Sequence, residues 1–140
     1  MKGIIRKVVG VVAMAVSILS FAFVIPAYAG NSGDSGWTFS LSPVHGIGRT
    51  GQRQKQDYTP SYVKLNSKSD GGTAWAWIER TYQNPDVHSQ VRIIDVGKDA
   101  KISNDAFDMY GRVQVSACIQ NSVTHSGYVA VSGLWSPDSV

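Results

Sequence analysis

Glu79 is the only glutamate in the 140-residue chain, and it follows Trp75 and Trp77 at two-residue spacing in the stretch AWAWIER, residues 74–80. On an extended strand, residues two apart share a face and lie about 6.6 Å from one another. Two indoles and a carboxylate so arranged could furnish a surface for a sugar chain, the rings stacking on it and the carboxylate accepting hydroxyls or handling a proton. Cleaving a glycosidic bond needs a second carboxyl group facing the same cleft. The sequence identifies no such partner, so a glycan hydrolase using Glu79 ranks third among the functions considered, and Glu79 is expected to end the buried part of its strand or to pair with a cross-strand cation.

Other chemistry-bearing residues are sparser. The segment GRTGQRQKQD, residues 48–57, gathers Arg49, Arg53 and Lys55 against one acid, Asp57. Such a loop could touch an anionic wall polymer or a lipid headgroup, or simply be solvated by its charges. The three histidines, His45, His88 and His125, have no His-x-His or His-x-x-x-His spacing, so no zinc site is expected. Asp95, Asp99, Asp105 and Asp108 crowd one stretch without the ligand order of a calcium loop. GDSG, residues 33–36, resembles the nucleophile loop of chymotrypsin-like proteases. That family needs two barrels to assemble its triad, and this string falls just after the N-terminal apolar run, so Ser35 is read as solvent-exposed chain. No catalytic residue, cofactor or metal is assigned.

Which way Trp75 and Trp77 face follows from the apolar inventory. Beyond residue 29 there are three leucines, Leu41, Leu65 and Leu134, and two phenylalanines, Phe39 and Phe107. An indole removes on the order of 200 Å² from water. Two indoles left outside would leave a core of valine, isoleucine and alanine, so burial is expected over an exposed aromatic platform. Ala74, Ala76 and Ile78 are also apolar, which marks a central strand covered on both faces.

Period-two alternation supplies the elements that would position these residues. Trp37, Phe39 and Leu41 alternate with polar partners; Val63 and Leu65 do so in SYVKLN; the AWAWIER strand follows, then QVRIIDV, RVQVSACIQ and GYVAVSGLW. Asp70-Gly71 suits a tight hairpin between the second and third strands. A helical turn is expected in SNDAFDMYG, capped by Ser103 and stopped by Gly111. The polar stretch from Pro43 to Pro60 is expected to hold a short irregular strand or to be the mobile part of the domain. The fold class is therefore all-β: one antiparallel β-sandwich or small barrel of about six to seven strands.

Residues 1–29 read as a signal helix. Lys2, Arg6 and Lys7 precede an apolar run from Val8 to Ile25, and Ala27-Tyr28-Ala29 is a small-x-small cleavage site. The alternative is a retained membrane anchor. Cleavage before Gly30 leaves a polar lead, 30–36, expected to be flexible, and a domain over 37–140. It also removes three of thirteen Lys and Arg, leaving ten against ten Asp and Glu. The sequence pI of about 9.1 thus belongs largely to the signal, and nucleic acid is not an expected partner. The lone Cys118 cannot form an internal disulfide, so the core holds without staples.

VQVSACIQNS followed by YVAVSGLWSPD resembles a family of small exported proteins of Gram-positive bacteria that is classed as a domain of unknown function. Members tend to end in Ser-Gly-x-Trp and an acid; here Ser136-Pro137 separates Trp135 from Asp138. The resemblance brings no activity with it. In architecture the chain is also similar to lactococcin-type bacteriocins, which are exported, disulfide-free and β-sandwiched. The expectation is a secreted or wall-associated protein that binds, without catalysis, an envelope polymer, a membrane surface or another protein. The alternative is a bacteriocin-like toxin acting on neighbouring cells.

Overall fold

The computed structural model describes residues 30–81, 84–122 and 126–140. The expected signal helix and His125 lie outside them. Among the described residues, nine strands form two antiparallel sheets: β1 (Ser35–Leu41), β2 (Ile47–Arg49), β3 (Arg53–Lys55), β4 (Ser61–Lys68), β5 (Ala74–Arg80), β6 (Arg92–Ile94), β7 (Asp99–Ile102), β8 (Val113–Asn121) and β9 (Val129–Ser136), with one short helix, α1 (Ala106–Tyr110). The first sheet runs β1-β9-β4-β7 and the second β2-β8-β5-β6, with β3 also on β8. The class is the expected β-sandwich; the additional strands are three or four residues long.

The core lies between the sheets. Trp37 and Leu41 of β1, Val63 and Leu65 of β4, and Val129, Val131 and Trp135 of β9 meet Ala74, Ala76 and Ile78 of β5 and Val115, Ala117 and Ile119 of β8. The face of β5 is the reverse of the expected one: the alanines and Ile78 point inward, and Trp75, Trp77 and Glu79 outward. The physical reason is volume. Trp37 and Trp135 already bring two buried indoles from the first sheet, and a close-packed layer sets small side chains opposite large ones.

Gly133 shows how tight that layer is. A Cβ there would stand 1.9 Å from the Lys64 carbonyl oxygen and 2.4 Å from the Trp37 ring, separations that real Cβ atoms do not reach. In β4 the register with β9 shifts between Leu65 and Ser67. One extra residue in a strand turns the following side chains over, and so Lys68 points inward, where its ammonium meets Asp70 at 2.6 Å.

Asp70 and Gly71 do form a turn, with Gly71 at φ 69° and its N–H donated to the Lys68 carbonyl at 2.9 Å. It is not a hairpin: β4 and β5 belong to opposite sheets, so the turn carries the chain across the sandwich. In α1 Gly111 is the stop, at φ 67°. The N-terminal contact is made by Asn104, whose Oδ1 accepts the Ala106 N–H at 3.3 Å, and not by Ser103.

The polar stretch after Pro43 is ordered along β8. β2 and β3 follow one another on the same edge of that strand. Between them Thr50 donates its N–H to the Ala117 carbonyl at 3.0 Å and takes the Ala117 N–H on Oγ1 at 2.9 Å. The lead is likewise anchored: Ser35 and Gly36 belong to β1, and the Asn31 N–H donates to Asp138 at 2.7 Å.

Candidate functional site

Strand pairing places a defined set of side chains on the outer face of the second sheet. Across β2, β8 and β5, Ile47 stands opposite Gln120 and Gln120 opposite Trp75; Arg49 stands opposite Cys118 and Cys118 opposite Trp77; Glu79 stands opposite Ser116. On the far side of Trp75 is Ile93 of β6, 66% exposed. Both tryptophans are half-buried, so each ring presents surface to solvent.

Glu79 is the hub of this face. Its Oε1 accepts the Trp77 indole N–H at 3.0 Å, and its Oε2 accepts Arg49 Nε–H at 3.2 Å. The cross-strand cation expected for Glu79 is thus Arg49. Partial burial works to raise the Glu79 pKa, but the hydrogen bonds from Trp77 and Arg49 outweigh it and hold the carboxyl below its ordinary range. Trp75 is braced from the other side. The His45 ring lies parallel to it, 6.1 Å between centroids and 8° between planes. His45 holds a left-handed backbone at φ 49°, and its carbonyl accepts Gln120 Nε2–H at 3.0 Å.

Two open cavities adjoin Glu79. One of about 610 Å³ is lined by Arg49, Gln52, Glu79, Arg80 and Ser116 among others. A second, about 210 Å³, lies against Trp77, Glu79, Asp86 and Ser89. Pro85 lines both. With Trp77 in the wall of the smaller one they make a shallow groove along β5, and Trp75 stands two residues further along the same strand.

Of the three basic residues expected to meet an anionic partner, only Arg49 reaches this face. Arg53 turns toward the N-terminal segment, donating to the Trp135 carbonyl at 3.3 Å and to Asn31, with its guanidinium 5.8 Å from the centroid of the Trp135 ring. Lys55 is fully buried. Its ammonium meets Asp138 at 2.6 Å and also donates to the Thr59 carbonyl. The charges of this loop tie the two ends of the domain together, where solvation or an anionic partner was expected. The sequence hid this because Asp138 lies eighty-three residues from Lys55.

The other candidates stay apart. His88 pairs with Asp105 at 3.1 Å. Among the described residues no three His, Cys, Asp or Glu side chains converge as metal ligands would. Ser35 lies in β1, opposite Trp135.

The C-terminal residues that resemble an uncharacterised family prove to be structural. Gly133 admits the Trp37 ring, Trp135 is buried between the sheets, and Asp138 collects the N–H groups of Asn31 and Gln56 beside the Lys55 ammonium. A family described as protein of unknown function (DUF2712) matches residues 25–139. The chain belongs to the DUF2712 family. No curated protein and no solved structure matches it.

The DUF2712 match spans both sheets, and so includes the buried Lys55–Asp138 pair as well as the tryptophan face. Beneath that face the DUF2712 chain carries Cys118, buried between Trp77 and Arg49 in register. Burial, reinforced by the neighbouring Glu79 charge, pushes its thiol far above the ordinary value. It stays protonated at neutral pH and acts as a small packed side chain.

Proposed function

We propose that this DUF2712 protein is a non-catalytic binding protein acting at or outside the cell envelope, with the outer face of its second sheet as the contact surface. The signal-like N-terminus supports the location. The observation that carries the choice of surface is the outward orientation of Trp75 and Trp77, two half-buried indoles on one strand. Large aromatic side chains left partly in water, braced by His45 and Glu79, offer rigid contact area at little entropic cost.

Binding is favoured over cleavage by the state of Glu79. Both its oxygens already accept hydrogen bonds and its pKa is lowered, whereas a glycosidase needs a carboxyl that holds its proton at working pH. The other carboxylate lining either cavity is Asp86, which accepts the His88 N–H at 2.9 Å.

Co-sedimentation of the purified protein with isolated envelope material tests this. The protein is expected to pellet with the walls, and Trp75→Ala with Trp77→Ala to weaken retention roughly thirtyfold, corresponding to about 2 kcal/mol for loss of an aromatic hot spot. Release of soluble sugar or peptide from the walls, abolished by Glu79→Gln, would overturn it.

A further inference from the structure

The proposal above leaves open what the face holds, and the charges around it narrow the choice. An anionic polymer needs cations in excess. Lys55 is sealed inside the domain and Arg53 is turned onto main-chain carbonyls. Arg49, 55% exposed, is balanced by Glu79 at 3.2 Å, and Arg80, whose guanidinium lies over the Tyr110 ring at 4.0 Å, is offset along the groove by Asp86 in the adjoining cavity. A polyanion crossing the indoles would therefore meet a carboxylate at the centre of the face. A membrane surface would call for uncompensated cations flanking the aromatics, and the centre holds a neutral pair.

The shape narrows it again. The cavities beside Glu79 are open and share one wall, with Trp77 at the margin of the smaller. Such a groove suits a chain lying along the strand better than a small molecule engulfed in a pocket. Its chemistry is mixed along its length. The indoles offer apolar faces, while Glu79 and Arg49 offer an acceptor and donors beside them, and Gln120 and Ser116 extend the polar rows on β8. Arg49 commits its Nε–H to Glu79 and has further N–H groups to give.

Resting on the envelope-binding reading, we propose that the ligand is an uncharged glycan chain, its sugar rings stacked on Trp77 and Trp75 and its hydroxyls bonded to the Glu79–Arg49 pair. A pyranose ring presents both parts of that complement, a C–H face for an indole and hydroxyls at its rim.

The test is a titration of the purified protein, followed by tryptophan fluorescence, with neutral chito- and cello-oligosaccharides and with polyglycerol phosphate. Wall co-sedimentation is run alongside. The expected result is a saturable change with a neutral oligosaccharide, with Kd nearly constant over a roughly tenfold range of salt, since no counterions are released. Trp77→Ala should weaken it by about tenfold or more, and Glu79→Gln severalfold while the protein stays folded, its urea midpoint lowered by roughly 0.5 M or less. Should Trp77→Ala fail to fold, Glu79→Gln carries the test. Binding of polyglycerol phosphate alone, weakening with salt, would overturn the glycan assignment while leaving envelope binding intact. So would retention on walls that protease treatment abolishes. Absence of binding to both the oligosaccharides and the walls would overturn both proposals.

Discussion

Replacing Asp138 by alanine removes one member of a fully buried ion pair and leaves the other behind. Asp138 and Lys55 have side-chain exposures of 0% and 1% and meet at 2.6 Å. Breaking such a pair from one side costs about 3–5 kcal/mol, because the surviving ammonium stays out of water with the Thr59 carbonyl and the more distant Asp57 carboxylate, 3.8 Å away, in place of its close counter-ion. The carboxylate also takes the N–H groups of Asn31 at 2.7 Å and Gln56 at 3.0 Å, each worth about 1 kcal/mol. Partial relaxation and water entry offset some of this, so the working figure is about 4 kcal/mol. That is a large share of the roughly 5–15 kcal/mol that holds a domain folded.

With a urea slope of about 1.5 kcal/mol/M for a domain of this size, Asp138→Ala should lower the urea midpoint by roughly 2.5 M. Lys55→Met combined with Asp138→Ala removes both charges and should cost less than the two single changes added, by on the order of 2 kcal/mol. A midpoint shift below about 0.5 M, or single costs that simply add, would refute the claim that this pair is a buried lock.

Gly133→Ala should destabilise by about 3 kcal/mol or more, since its new methyl meets main chain on one side and Trp37 on the other. Gly51→Ala, where the methyl meets nothing within 4 Å, should stay within about 0.5 kcal/mol of wild type in the same urea titration. The Glu79 carboxyl has a folded pKa below its unfolded one. Its contribution to stability is then complete above an unfolded value of about 4.3 and is lost as pH falls through the depressed folded value. The difference in urea midpoint between wild type and Glu79→Gln should accordingly be largest near pH 7 and shrink toward pH 2; a constant difference would refute the linkage.

Alternation made the sandwich legible, because a strand buried on one face advertises itself every second residue. It did so for β1, where Trp37 and Leu41 point inward, and for β8, where Val115, Ala117 and Ile119 do. What a period of two does not state is which of two apolar faces goes inside. In AWAWIER both faces were candidates, and the decision was made by Trp37 and Trp135 on strands remote in sequence, whose bulk called for alanines opposite. The three-residue strands β2 and β3 carry little pattern of their own and form because β8 offers them an edge. Lys55 read as a solvated cation for a related reason: the carboxylate that allows its burial comes from the far end of the chain. The turn at Asp70-Gly71 was visible locally, but whether it closes a hairpin or crosses between sheets depends on the partners of β4 and β5.

The outward tryptophans are the centre of the proposal, and quenching reports on them directly. Trp37 and Trp135 are 6% and 1% exposed, whereas Trp75 and Trp77 stand half-buried on the outer face. Acrylamide titration of the free protein should resolve an accessible and a protected population, and Trp75→Phe with Trp77→Phe should remove the accessible one. The same titration on protein bound to envelope material is the decisive form: the accessible population should become protected. Quenching that is unchanged on binding would contradict the assignment of this face as the contact surface.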